Sequence, residues 1–228
     1  INKYLKTDRR GSFYEASEQV APKIEMEETY PEEALHKFLP HYKYYTDKGV
    51  SQPLLKELKC GLVTEGQMYQ RFVFPIYNEH LQIHGFAGRD MVNKPNRPKW
   101  KHIGKKTRWV YPLHVHESTA SAIAERGVIL VESIGDMLSL WEAGIKNVIV
   151  IFGLQISLSI INYLLRIDAQ KIYIALNNDE ENNSAGNEAA FKNEKRLLKY
   201  FDPPQIHVVF PTKKDFVKCE DPEKTLIE

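Results

Sequence analysis

The chain concentrates oxygen ligands where apolar runs stop. GVILVES ends on Glu132 and Ser133, with Asp136 four residues beyond the glutamate. KIYIALN ends on Asn177, followed by Asn178, Asp179, Glu180, Glu181 and two more asparagines before Ser184-Ala185-Gly186. Carboxylates gathered at strand ends repel one another unless a cation lies between them, and oxygen-only donors select a hard ion such as Mg²⁺ or Mn²⁺. Such an ion can hold a triphosphate, lower the pKa of an attacking hydroxyl and stabilise a pyrophosphate leaving group. On this reading Asp179 is a direct ligand, and Glu132 is either a ligand or the acceptor of the hydroxyl proton. A plainer reading stands beside it: Asn and Asp close turns on their own backbone, and Asp136 would stabilise the first turn of a helix through the macrodipole.

The second constellation is cationic. Between Gln67 and His116 stand nine basic residues against Glu79 and Asp90, a net +7, although the whole chain carries only +1. Trp100, Trp109 and Tyr111 are interleaved with these cations, the mixture that binds phosphates and stacks on bases. A charge run alone reads equally as a solvated surface.

The elements that must position these groups follow from periodicity. Residues 1–40 form a polar lead-in with a helix start near Pro31. HYKYYTDKG and PLLKELKCG read as short packing helices stopped by Gly49 and Gly61. RFVFPIYN and LQIHGFAGR are β-branched and aromatic, so they predict a hairpin or small antiparallel sheet with Arg71 at its start and Arg89 at its end. From Gly127 onward, strands alternate with the helices GDMLSLWEAG, SLSIINYLLRI and AGNEAAFKNEKRLLKYF, the last running to Phe201. Strands separated by helices pair in parallel, which predicts an α/β fold with a mainly parallel sheet flanked by helices. Ligands of such sheets lie beyond the carboxyl ends of the strands, which sets Glu132, Gly153 and Asn177 to Asp179 on one rim.

Composition narrows the remaining classes. At 228 residues and 43% hydrophobic, the chain can bury a substantial core. Cys60 and Cys219 have no nearby cysteine partners, so neither a disulfide framework nor a zinc-knuckle spacing is present, and a reducing, cytoplasmic setting is expected. No apolar run is long enough to span a bilayer, so no membrane partner is expected. A first residue Ile1 reads as a piece of a longer protein. No Gly-Lys-Ser/Thr phosphate loop occurs.

VESIGDMLSLWEAG, VIVIFGLQIS and IALNNDEENNSAGNEAA together resemble the TOPRIM domain of primases, topoisomerases and some nucleases. The upstream segments YYTDKGVSQPLLKELKCGL, RFVFPIYN, HGFAGRDM and PKWKHIGKKTRWVYPL, with KKDF near the end, resemble the catalytic core of bacterial-type and phage primases over roughly residues 41–217. The resemblance implies a TOPRIM catalytic domain at 118–228, with a C-terminal extension, behind a smaller α+β basic subdomain at 1–117. It implies template-directed synthesis of short RNA primers on single-stranded DNA, in bacterial cytoplasm if the source is a phage. Glu132, Asp136 and Asp179 would be catalytic, and Glu132, Asn177, Asp179 and Glu181 would hold the metal. Arg71, Arg89, Lys99, Lys101, Lys105 and Lys106 would contact nucleotide, template or primer.

The resemblance also implies nucleoside triphosphates as substrates, a replicative helicase partner, and a zinc-binding module upstream or in trans. Where the family carries the first Asp of Asp-x-Asp, this chain has Asn177, with about four extra residues before Ala185-Gly186. Asn177 with Asp179, or Asp179 with Glu181, could form the working pair; the first directly follows the strand. A TOPRIM module that binds nucleic acid without catalysis, and a TOPRIM nuclease, are the alternatives.

Overall fold

The computed structural model describes residues 28–115, 122–123, 126–179 and 184–218. Two sheets make the frame. The first is antiparallel, in the order β1 (Phe38–Leu39), β2 (Gly61–Val63), β3 (Arg71–Tyr77), β4 (Ile83–Asp90) and β5 (Trp100–Ile103). The second is parallel, in the order β7 (Val148–Val150), β6 (Val128–Val131), β8 (Ile172–Ala175) and β9 (Ile206–Val208). The α-helices bounded within the described residues are α1 (Lys43–Thr46), α2 (Gln52–Glu57), α3 (Ile134–Glu142), α4 (Leu158–Arg166) and α5 (Ala185–Leu197). The lead-in helix expected near Pro31 is a 3₁₀ turn over Glu32–Lys37.

Period-two alternation sorts each strand between two cores. On β6 and β7, Ile129, Val131, Val148 and Val150 join Met137, Leu138 and Trp141 of α3, while Val128, Leu130 and Ile149 join α4 and α5 on the other face. The parallel sheet is thus covered on both sides, which is why its strands read as continuous apolar runs. On β3, Phe72, Phe74 and Ile76 enter the core that contains α3, whereas Val73 and Tyr77 turn to a smaller cluster under the lead-in turn. Two sheets therefore share one core. They are tied further by Ser51, whose backbone N–H and hydroxyl both donate to Glu142 at 2.9 and 2.8 Å. Val150 N–H donates to the Tyr111 carbonyl at 3.0 Å, covering the β7 edge.

The small antiparallel sheet expected around the hairpin has five strands, with β1 and β2 on one side and β5 on the other. Two local expectations need correcting. Gly61 does not stop a helix: α2 ends at Glu57, Lys59 takes φ +50°, and Gly61 opens β2, where a Cβ would lie 2.7 Å from the Leu39 carbonyl oxygen. Helix α5 stops at Leu197 rather than Phe201, since Pro203 disfavours helical geometry at the preceding residue and the chain tightens into a turn first. Phe201 still packs in the core four residues after Leu197, so the apolar spacing was real although the helix was not. The proposed 117/118 boundary lies outside the described residues.

Candidate active site

The order β7-β6-β8-β9 places a topological switch between β6 and β8, because the chain leaves β6 for one neighbour and returns to pair on its other side. Crevices at such points, beyond the carboxyl ends of the strands, are where open α/β sheets bind ligands. Val131 is in register with Ala175, so Glu132 and Leu176 leave the sheet side by side and Asn177 to Asp179 follow within one turn.

A cavity of about 490 Å³ opens there, between the two sheets. The parallel sheet contributes Glu132, Asp136, Gly153 and Asn177, and Asp215 reaches it from the segment after β9. The antiparallel side contributes Tyr44, Lys48, Arg89, Lys99, Trp100 and His102. Strand alternation again decides which side chains arrive: Arg89 shares parity with Ala87 of the common core, and Trp100 and His102 share a face of β5.

The acids differ sharply in their surroundings. Glu132 is partly buried, and its Oε2 has no hydrogen-bond partner among the described residues. Burial pushes its carboxyl up to about 7, the nearby charges of Asp136, Asp179 and Asp215 push the same way, and Lys99 opposes them. Asp136 is 1% exposed and fully engaged. Its Oδ2 accepts from the Ser133 N–H at 3.2 Å and hydroxyl at 2.7 Å, closing a capping box, and its Oδ1 accepts from the Phe216 N–H at 3.2 Å. Burial raises its carboxyl to about 6, against the hydrogen bonds from Ser133. Asp136 thus lines the cavity, caps α3 and fixes the segment carrying Asp215.

The β8 end is built with similar economy. Gly186 lets the first turn of α5 press against the strand end, where a Cβ would lie 2.2 Å from the Asn177 carbonyl oxygen. Asn187 accepts from the Asp179 N–H at 2.9 Å and donates to the Asn178 side chain at 3.1 Å. The Asn178 N–H donates to the Lys214 carbonyl at 2.9 Å. Asn178 is thus a bracing residue, and Asn187 is one the sequence did not reveal. Asp179 Oδ1 makes no hydrogen bond and lies 3.5 Å from Lys214 Nζ. Glu181 lies outside the described residues.

Among the six expected cations, the structure separates two groups. Arg89 Nη2 donates to the Tyr44 hydroxyl at 3.0 Å, its guanidinium lies over the Tyr44 and Trp100 rings, and its buried Nη1 has no partner among the described residues. Lys99 lines the cavity, and Lys106 Nζ donates to the Phe152 carbonyl at 3.2 Å beside it. Lys105 is exposed and does not line it. Arg71 and Lys101 do not line the cavity. Arg71 is 3% exposed and donates to the Gly88 and Pro98 carbonyls, both at 3.0 Å, while Lys101 donates to the Gln67 carbonyl at 2.9 Å. Each lies one strand residue out of phase with Arg89 and Trp100.

A divalent cation fits this donor set in its chemistry. Glu132 presents a buried orphan oxygen, Asn177 faces the cavity, and Asp179 holds a second oxygen without a hydrogen bond. All are hard oxygen donors and none is a competing soft ligand. Among the described residues no three His, Cys, Asp or Glu side chains form a ready-made cage.

Comparison with known proteins agrees with the geometry. A Toprim-like family profile matches residues 129–218. The chain is 28% identical to a DNA primase of Listeria monocytogenes over 180 residues, covering 72% of this chain and 28% of that protein. It is 30% identical to a DNA primase of Helicobacter pylori over 165 residues, covering 67% and 28% respectively. The chain therefore spans little more than a quarter of these relatives. In fold it matches a DnaG primase catalytic domain bound to single-stranded DNA, with a TM-score of 0.65 at 19% identity, over 82% of this chain and 69% of that one. It also matches the RNA polymerase domain of Mycobacterium tuberculosis primase, with a TM-score of 0.63 at 17% identity, over 80% and 72%. Residues 129–218 are thus a Toprim-like domain, carried by a chain that is homologous to bacterial DNA primases and has the fold of their catalytic cores.

Proposed function

We propose that this chain is the RNA-polymerising core of a DNA primase and that the cavity between its sheets is the site of nucleotidyl transfer. The observation that carries the reading is the emergence of Glu132 and Asn177 from adjacent strand ends into one cavity, opposite the Arg89 and Lys99 wall and with Asp179 following two residues after Asn177. Glu132, Asn177 and Asp179 would hold Mg²⁺ or Mn²⁺, and Glu181 belongs to the alternative register. When bound, the ion supplies charge neutralisation for the triphosphate and its leaving pyrophosphate. Arg89 and Lys99 bind phosphate oxygens and orient the nucleotide, and Trp100 offers a ring face to a base. The primer 3′-hydroxyl oxygen bonds to the α-phosphorus, the bond to pyrophosphate breaks, and the hydroxyl proton passes to solvent, or to Glu132 if that carboxylate is the acceptor rather than a ligand.

The same proposal places a TOPRIM unit at 118–228 behind a basic subdomain at 1–117. It takes single-stranded DNA and nucleoside triphosphates as partners, with a replicative helicase and a zinc-binding module elsewhere in the protein or in trans. One of the fold's relatives, from Aquifex aeolicus, carries both zinc-binding and RNA polymerase domains. No helix among the described residues is long and apolar enough to cross a membrane, and we place the protein in the cytoplasm, of a bacterial host if phage-encoded.

Incubation with a single-stranded template and labelled ribonucleotides tests this. The expected result is oligonucleotide synthesis only with divalent metal, lost by at least about 10³-fold in Glu132→Gln; synthesis at full rate by the variant would overturn the assignment. Asn177 favours a second reading, a module that binds nucleic acid without catalysis. If the wild type makes no product, a gain of synthesis in Asn177→Asp identifies a weakened polymerase, and continued silence identifies the binder.

A further inference from the structure

A second groove, of about 640 Å³, lies beside α5 and shares no lining residue with the catalytic cavity. One wall is Leu154 and Gln155 after β7. The other is a face of α5 bearing Lys192, Lys195 and Arg196, with Lys199 in the turn that follows the helix. Lys195 and Arg196 stand three and four residues beyond Lys192, so the three share one side of the helix. The adjoining stripe, Ala189, Ala190, Asn193 and Leu197, is buried, with Ala189 and Asn193 also lining the groove, so the packing of that stripe turns the cations toward solvent.

The groove is strongly one-signed. Among the described residues, Glu188 is the only acidic residue lining it and pairs with Lys192 at 3.0 Å, while Lys195, Arg196 and Lys199 have no carboxylate partner. Four like charges on neighbouring turns repel one another, a cost relieved when an anion lies along them. The walls are also fixed relative to each other. Asn193 is 2% exposed, accepts from the Ile156 N–H at 3.0 Å and donates to the Leu154 carbonyl at 2.9 Å, tying the loop to the helix from below.

Continuity with the catalytic cavity selects the occupant. The loop that supplies Leu154 and Gln155 to the groove supplies Phe152 and Gly153 to the cavity. Ala185, at the near end of the groove, adjoins Gly186, which packs on the Asn177 carbonyl. The two sites thus share one loop, Phe152 to Gln155, as a common wall. We propose that this groove is a second nucleic-acid contact, in which Lys192, Lys195, Arg196 and Lys199 track the backbone phosphates of a single strand extending from the catalytic cavity. A repeating anion suits a repeating row of cations, whereas Leu154 offers an apolar rim to sugars and bases. The proposal rests on the polymerase reading for what lies in the cavity, and not for the binding itself.

The test is fluorescence anisotropy with a long labelled oligothymidylate, without divalent ion or triphosphate, across a salt series. Lys195→Glu/Lys199→Glu is expected to bind about tenfold more weakly near 50 mM salt, with a log–log salt slope shallower by about 1.4, two single-strand phosphate contacts. The control Lys56→Glu/Lys171→Glu makes the same charge change at exposed positions, Lys171 beside the opposite end of β8, and is expected to stay close to wild type. Should the reversed pair fold poorly, Lys195→Gln/Lys199→Gln reads the same slope. Equal losses in test and control pairs, or none in either, would overturn the groove. So would displacement of the oligonucleotide by polyglutamate at equal or lower charge concentration, which would mark an acidic protein partner instead. Primer synthesis by the wild type with unchanged binding in the test pair removes the groove alone. Loss of binding in the test pair, with no primers made by the wild type or by Asn177→Asp, leaves the groove and removes the polymerase.

Discussion

The two sheets face one cavity with opposite charges and treat those charges in opposite ways. On the antiparallel side, Arg89 is steadied by the Tyr44 hydroxyl and two ring faces, and Lys106 by a carbonyl; these partners are neutral and leave the positive charge uncancelled. On the parallel side, Glu132 is desolvated among Asp136, Asp179 and Asp215, with only Lys99 opposing. The closer internal pairs lie elsewhere, Arg97 with Asp90 and Ser51 with Glu142, while at the β8 end Asp179 has only Lys214 at 3.5 Å. A site built to hold itself together would have paired Arg89 with Glu132. Leaving both poised fits a ligand that carries both signs, as a triphosphate with its cation does.

That contrast predicts opposite stability changes for acids four residues apart. Asp136→Ala removes a capping box and a buried acceptor for the Phe216 N–H, and should cost about 3 kcal/mol in chemical denaturation. Glu132→Gln should melt at or above the wild-type temperature at pH 8 while losing synthesis, because it removes a carboxylate that burial and its neighbours disfavour. A lower melting temperature for Glu132→Gln would mean that its charge is internally satisfied.

Gly186→Ala comes next in size. Its methyl would press on the Asn177 carbonyl, and a shift costing about 2 kcal/mol is expected, with weaker metal binding because Asn177 moves. An unperturbed metal affinity would show that the β8 end does not take part. Arg71 and Arg89 provide a smaller, cleaner split. Arg71→Ala should lower stability by about 1–2 kcal/mol through two orphaned carbonyls, whereas Arg89→Ala should leave stability within about 0.5 kcal/mol and raise the KM for triphosphate.

How much of this was legible beforehand depended on range. The parallel strands and the Glu132 and Asp179 rim could be read because each is local: an apolar run, then oxygen donors. The cationic wall was legible only in part because a basic tract does not show the phase of its strands. β5 was not recognised as a strand at all, so the opposite facing of Trp100 and Lys101 was invisible. Arg71 looked like Arg89 since both end strands of the same hairpin; only pairing of Arg71 with Asp90 and of Phe72 with Arg89 reveals that they lie on opposite faces. Asp215 reaches the cavity through a hydrogen bond from its neighbour Phe216 to a residue 80 positions earlier, a distance at which no periodicity speaks. KKDF carried the hint by resemblance alone.

The smallest expected effect is on pH. Glu132 and Asp136 have folded-state values near 7 and 6, above their ordinary 4.5 and 3.8, so folding takes up protons between those limits. Their contribution to stability is full at acid pH and is lost as pH rises from about 4 to about 7, then levels off. Added Mg²⁺ should therefore raise the melting temperature more at pH 8 than at pH 5.5, where protonated carboxyls bind it poorly. Equal shifts at both pH values would place the ion elsewhere.

Whether acids from two strand ends share one ion can be measured without turnover, by Mn²⁺ titration followed by electron paramagnetic resonance. The account predicts that Glu132→Gln and Asp179→Asn each weaken one and the same Mn²⁺ site, and that the double variant loses little more than either single one. Strictly additive losses, or an Mn²⁺ affinity untouched by either change, would contradict it.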